Sequence, residues 1–238
     1  MRQVTLFAFL LISAVAQSST IPKNLSANDV NRVVEILGLG NTMRLLRSAE
    51  AYDFYPGIKL GLEIPVTLAR DINDLGDQTG SIPGLFMMPR IFVSKGLFLN
   101  LEISFNYFPG AVFNTLSTFG TLLKWSFFEE KEKWAAVAVY GAYTRLSGLD
   151  DAYSGRNFEL GLVASKDYVR VKPYLGVGML FVNGVIATNF VRTAENSAWQ
   201  STLHVFGGAE IEYPVNITIQ LDLMNLSPMG TLFIGKKF

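Results

Sequence analysis

From Asn216 to Leu223 the chain alternates strictly, with Ile217, Ile219, Leu221 and Leu223 separated by Asn216, Thr218, Gln220 and Asp222. A strand sends successive side chains to opposite faces, so this segment predicts a strand with one greasy and one polar face. Reading the whole chain for the same period gives ten strands, at 57–68, 84–93, 97–107, 115–128, 133–146, 156–166, 169–182, 201–213, 215–225 and 229–238. Most reach the ~9–11 residues that a tilted strand needs to cross a bilayer. The gaps between them alternate in length. Those at 69–83, 108–114, 147–155 and 183–200 are long, and those at 94–96, 129–132, 167–168 and 214 are short. Membrane barrels sort their connections in this way, with short turns on the periplasmic side and longer loops outside.

The apolar faces fit the same picture. Ile58, Leu60, Leu62 and Ile64 form one outward row, Leu99 to Tyr107 a second, and Leu175, Val177, Met179 and Phe181 a third. Backbone groups in hydrocarbon must all be paired, which requires such strands to close on themselves. Trp125, Phe127 and Trp134 flank the turn at Glu129–Lys133, and Tyr168 and Tyr213 lie beside other short turns, where amphipathic rings favour the interface. A soluble barrel would invert the pattern, with charge outside and aliphatics within.

Composition narrows the reading. Hydrophobic residues make up 50% and charged residues 17%, yet that apolar content is spread by alternation instead of being gathered in long runs. Twenty basic and 20 acidic residues imply no general attraction to nucleic acid. Without cysteine there is neither a disulfide nor a thiolate metal site. Residues 1–16 read as a secretory signal peptide: Arg2 supplies the charge, Val4 to Ile12 the apolar stretch, and Ala14-Val15-Ala16 the cleavage site. Residues 17–56 then form a helical N-terminal segment and 57–238 the barrel. In that segment Ser26 and Asp29 make a candidate capping box, and Val30, Val33, Val34 and Leu37 recur at helical spacing before Gly38. A second short helix is expected over Thr42–Ala49. The segment is expected either within the barrel, across its periplasmic mouth, or resting below it.

With its final strand placing Leu232 and Ile234 outward and its last residue Phe238, the chain resembles the bacterial outer-membrane β-barrel class. The resemblance implies a closed antiparallel transmembrane barrel of about ten strands, all-β apart from the N-terminal helix. It also implies Phe238 as a signal read by the barrel assembly machinery, outer-membrane lipid and lipopolysaccharide as surroundings, and both termini in the periplasm.

The polar face then lines a lumen. Lys59, Arg90, Lys124, Arg170, Lys172 and Lys236 are expected there against Glu63, Glu102, Glu159, Glu210, Glu212 and Asp222, with Arg170 and Lys172 across from Glu212 and Glu210. Phe86, Phe92, Phe98, Tyr140, Tyr174, Phe206 and Phe233 share that side, and Gly161, Gly176, Gly178 and Gly208 leave room. The leading expectation is a narrow channel or binding protein for a small solute. The alternative is a structural or surface-interaction barrel closed by its own ion pairs. A membrane-embedded hydrolase would have to centre on the lone His204, with Asp222 its best partner, and is the weakest reading. Asp71, Asn73 and Gly76 partly match a calcium loop, but Leu75 and Ile82 stand where ligands are needed. Asp150-Asp151 offers only a weak cation bridge to lipopolysaccharide. No cofactor or resident metal is expected.

Overall fold

The computed structural model describes residues 20–51, 57–110, 116–130, 135–225 and 227–238. The expected signal peptide and Trp134 lie outside the described residues. One helix, α1 (Ala27–Gly40), precedes β1 (Ile58–Leu68), β2 (Leu85–Met87), β3 (Arg90–Gly96), β4 (Leu101–Phe108), β5 (Leu116–Glu130), β6 (Ala135–Gly148), β7 (Tyr153–Lys166), β8 (Val171–Ile186), β9 (Ser197–Glu212), β10 (Asn216–Met224) and β11 (Ser227–Lys237). The short β2 and β3 both pair with β1, on Val66–Leu68 and Ile58–Glu63 respectively. They are one wall strand broken at Met88-Pro89, where proline has no amide hydrogen to donate. The wall therefore has ten strands, all antiparallel to their neighbours, and β11 returns to pair with β1 from Lys59↔Lys237 to Val66↔Gly230. This is a closed antiparallel β-barrel.

Alternation decides which way the wall faces. Along β10 the residues Asn216, Thr218, Gln220 and Asp222 are buried, whereas Leu221 between them is 69% exposed. The same holds around the barrel, with Leu60, Phe105, Leu123, Leu162, Leu175, Leu203 and Ile219 all on the exterior. Exposed aliphatics around a buried charged interior are the polarity of a membrane-spanning barrel. Two rings of aromatics bound the apolar band. Trp125, Phe127, Phe128, Tyr168, Tyr213 and Phe238 stand toward the short-turn end, and Tyr107, Phe119, Phe158 and Trp199 toward the long-loop end. A bulge between Ser126 and Phe128 lets Phe127 and Phe128 both point outward. Strands β5 to β9 run 14–16 residues, beyond what a bilayer needs, and carry the wall past the membrane at the long-loop end.

The first short turn falls at 97–100 instead of 94–96, because Leu99 and Asn100 take left-handed backbone angles that close the hairpin there. Phe98 consequently sits in the turn, 67% exposed, and not in the lumen. The other six aromatics assigned to the interior are buried. The room left by interior glycines is filled by rings on the adjacent strand. Phe206 covers Gly176, Tyr140 covers Gly161, and Tyr174 covers Gly208, so closely that a Cβ at Gly176 would stand 2.1 Å from the Phe206 ring.

Helix α1 begins at a capping box in which the Ser26 side chain accepts from the Asp29 amide and the Asp29 carboxylate accepts from the Ser26 amide. It enters the mouth at the long-loop end. There Val30, Val33, Val34, Leu37 and Leu39 join Leu146, Tyr153, Leu180, Val182 and Ile186 of the wall in an apolar cluster. Loops hold the entry: Leu25 exchanges backbone hydrogen bonds with Phe190 and Arg192, and Lys23 with Asp77. Thr20 accepts from the amide of Ser81. Phe238 pairs with Ile58 at the opposite, short-turn end. Thr20, the first described residue, and Phe238 thus lie at opposite ends of the barrel. The helix is at the mouth opposite the periplasmic one expected, where the apolar inner surface of Leu146, Tyr153, Leu180, Val182 and Ile186 matches its apolar stripe.

Candidate functional site: a lumen occupied by residues 41–51

Residues 41–51 run down the lumen without regular structure, so no helix forms over Thr42–Ala49. Their backbone is satisfied by the wall instead of by itself. Nearest the helix, Asn157 donates to the Gly38 carbonyl (2.7 Å), Thr67 to Gly40 (3.2 Å), and Arg90 to Thr42 (3.1 Å) and to the Asn41 side chain (3.2 Å). The Met43 amide donates to the Thr144 hydroxyl (2.8 Å). Farther down, Thr218 donates to the Leu46 carbonyl, the Ala49 amide to the Ser165 hydroxyl, and Ser126 to the Ala49 carbonyl at 2.6 Å. Lys124 Nζ donates to the carbonyls of Ser48 (3.0 Å) and Glu50 (2.8 Å).

Charge follows the same logic. The described wall buries three cations, Lys59, Arg90 and Lys124, against five carboxylates, Glu63, Glu102, Glu159, Glu210 and Asp222. The inserted segment brings Arg44 and Arg47, both buried, and each meets a carboxylate of the wall, while His204 lies between Glu159 and Asp222. Arg44 lies 3.1 Å from Asp222 and Arg47 lies 2.7 Å from Glu102, which also meets Lys124 at 3.1 Å. Lys59 pairs with Glu210 at 2.8 Å, and Arg90 lies 3.5 Å from Glu63, which accepts from Asn106. Glu210 also accepts from the Ser48 amide. Removing one member of such a buried set would strand its partner's charge, at a cost of several kcal/mol. Sequence reasoning missed Arg44 and Arg47, because the pattern gave no strand or stripe on which to place them.

At mid-height His204 Nδ1 lies 2.7 Å from Glu159 and Nε2 lies 2.9 Å from Asp222. Tyr140 donates to Glu159, and Gln220 to Asp222 at 2.6 Å. Both imidazole nitrogens are engaged by carboxylates, which leaves neither to take a proton from a nucleophile. The chemistry of this cluster is that of a buried polar network.

The remaining assignments divide. Lys172 is opposite Glu210 in register, but its ammonium reaches the short-turn mouth and pairs with Glu50 (2.7 Å), Asp167 (3.5 Å) and Glu212 (3.5 Å). Glu212 is half-buried there. Arg170 and Lys236 are not lumen residues. Arg170 belongs to the turn after β7 and lies over the Tyr213 ring at 5.7 Å, a cation at the membrane interface. Lys236 shares the outward parity of Ile234 and lies over Phe238 at 5.4 Å. The acidic loop residues are structural: Asp71 pairs with Arg32, Asn73 bonds Ile82 twice, and Asp77 accepts from the Lys23 amide and from Thr79.

No family model matches the sequence, and no curated protein matches it. Among solved structures the chain is similar to the N-terminal β-barrel domain of Pseudomonas aeruginosa OprF, at 13% identity and a TM-score of 0.36, covering 75% of this chain and 97% of that one. Ail, the attachment invasion locus protein of Yersinia pestis, gives 12% and 0.35 over 76% and 94%. Neisserial surface protein A gives 12% and 0.30 over 76% and 97%. These likenesses concern the barrel fold.

Proposed function

We propose that this protein is an integral outer-membrane barrel, closed by its own N-terminal segment, that works through its outer loops and not as a standing solute channel. The observation that carries this reading is the pairing of the inserted segment with the wall: Arg44 and Arg47 are buried against Asp222 and Glu102, carboxylates that line the lumen. A lumen that passes solute would not have its lining carboxylates taken up by its own chain. The apolar exterior and the sorting of loops support placement in an outer membrane, with the long-loop end outside. In that setting the loops at 69–84 and 187–196 form the surface offered to partners, and both are tied to residues 20–25. Phe238, on the lipid side at the inner end, fits the assembly signal that its terminal position suggests. Catalysis at His204 has no support from its surroundings.

Planar-bilayer recording tests the closed lumen. The full chain is expected to be silent. The quadruple variant Arg44→Ala, Arg47→Ala, Glu102→Gln, Asp222→Asn removes both cations together with their partners' charges and is expected to conduct. A steady current through the unmodified protein overturns the reading.

A further inference from the structure

The barrel seam is incomplete at the long-loop end. Pairing between β1 and β11 stops at Val66↔Gly230, although β1 continues to Leu68 and β11 begins at Ser227. Above that point Thr67 and Leu68 pair only with β2, and Ser227 to Met229 only with β10. Neither edge meets the other. Pro228, which has no amide hydrogen to leave unpaired, stands on the open edge, where proline is tolerated in sheets.

A cavity of about 330 Å³ lies at this gap, at the small end of the range for ligand pockets. Its back is Ile36 and Leu39 of α1, with Met229 on one side and Leu68 on the other. Leu68 is 54% exposed on the exterior of the wall, so the cavity adjoins the lipid-facing surface. Two guanidiniums border it. Arg32 is engaged by Glu35 at 2.9 Å and Asp71 at 2.6 Å. Arg70 has no acidic partner among the described residues, and its stem packs over Gly84. The recess has an apolar side open beside hydrocarbon, and the two carboxylates of its lining, Glu35 and Asp71, are both taken by Arg32, which leaves Arg70 at the rim to meet the anionic head of a chain.

We propose that the β1–β11 seam cavity binds one single-chain anionic amphiphile from the outer leaflet, its acyl chain against Ile36, Leu39 and Met229 and its head on Arg70. The gap in strand pairing is the entrance, and a chain lying in it covers backbone edges that hydrocarbon alone would leave bare. The inference rests on the membrane placement of the exterior and on α1 in the mouth, which forms the back of the cavity, but not on whether the lumen below conducts.

The test uses the full chain in nanodiscs of zwitterionic phosphatidylcholine with a fatty acid spin-labelled near its tail. One immobilised label per protein is expected, displaced by dodecyl phosphate but not by dodecyltrimethylammonium or by inorganic phosphate. Arg70→Gln should weaken binding about tenfold, the equivalent of ~1.4 kcal/mol. Ser227→Trp, at the half-exposed entrance, should abolish it, with heat-modifiable gel mobility confirming that each variant is folded. Equal immobilisation in both variants would mean general annular lipid, and displacement by inorganic phosphate would mean a simple anion site. Either result overturns the proposal.

Discussion

The upper mouth and the lower lumen are filled by consecutive stretches of one segment, both with buried apolar side chains but with their backbones satisfied in different ways. At the mouth, α1 satisfies its own backbone and presents an apolar stripe, so its stability there comes from area removed from water and from close packing against Tyr153, Leu180 and Val182. Below it, residues 41–51 leave their backbone unsatisfied, and the wall supplies the partners one by one from Lys124, Ser126, Thr144 and Ser165. The first arrangement is a close fit of shapes, with Gly38 and Gly40 leaving no room for a Cβ beside Val182 and Thr67. The second fixes a register, because a shift of one residue would misplace Arg44 and Arg47 against Asp222 and Glu102. Apolar packing holds the segment in, and the polar contacts say where it stops.

The sharpest way to break the lower region is Asp222→Ala, which strands Arg44 and His204 together. A loss of about 3–5 kcal/mol is expected in urea unfolding from detergent micelles. Leu37→Ala probes the upper region and should cost about 2–4 kcal/mol by loss of buried area and the cavity it leaves. Hydrogen exchange would separate the two, since Leu37→Ala should speed exchange in α1 while the Met43 and Ala49 amides, held by Thr144 and Ser165, stay protected. Ser26→Ala removes one half of the capping box and should cost about 1 kcal/mol, read as fraying of the first helical turn. The smallest effect is at the loop anchor. Asp77 is held below the usual carboxylate range, first by the Thr79 hydroxyl and then by the Lys23 amide. A lowered folded value means that its contribution is present above the ordinary carboxylate range and is lost as pH falls through the lowered one. Exchange at the Lys23 amide should therefore quicken only in acid, and Asp77→Asn should flatten that dependence.

The same contrast explains what the sequence could reveal. The helix was legible because Val30, Val33, Val34 and Leu37 repeat at its period and Ser26 with Asp29 marks its start. The wall was legible because one face of each strand meets hydrocarbon, as β10 shows residue by residue. The extended stretch has no period to read, since its partners are scattered over every strand from β3 to β10. Its two arginines look like ordinary surface residues until the wall's acids are counted. Lys236 was misplaced although its parity matched Ile234, because a lysine near a strand end can face outward and lie along the interface. Phe98 was lost to a turn whose left-handed residues, Leu99 and Asn100, are not the usual glycine or asparagine-glycine pair.

With Thr20 and Phe238 at opposite rims, the polypeptide passes through its own ring like thread through a needle's eye. A folded domain fused ahead of Thr20 could not be drawn through a finished cylinder so tightly filled. If the ring forms around the thread, joining the first wall strand to the last becomes the final act of construction. Time-resolved oxidation of a cysteine pair placed across that junction, in a chain that has none of its own, would show whether it zips after Met43 and Ala49 acquire their protection.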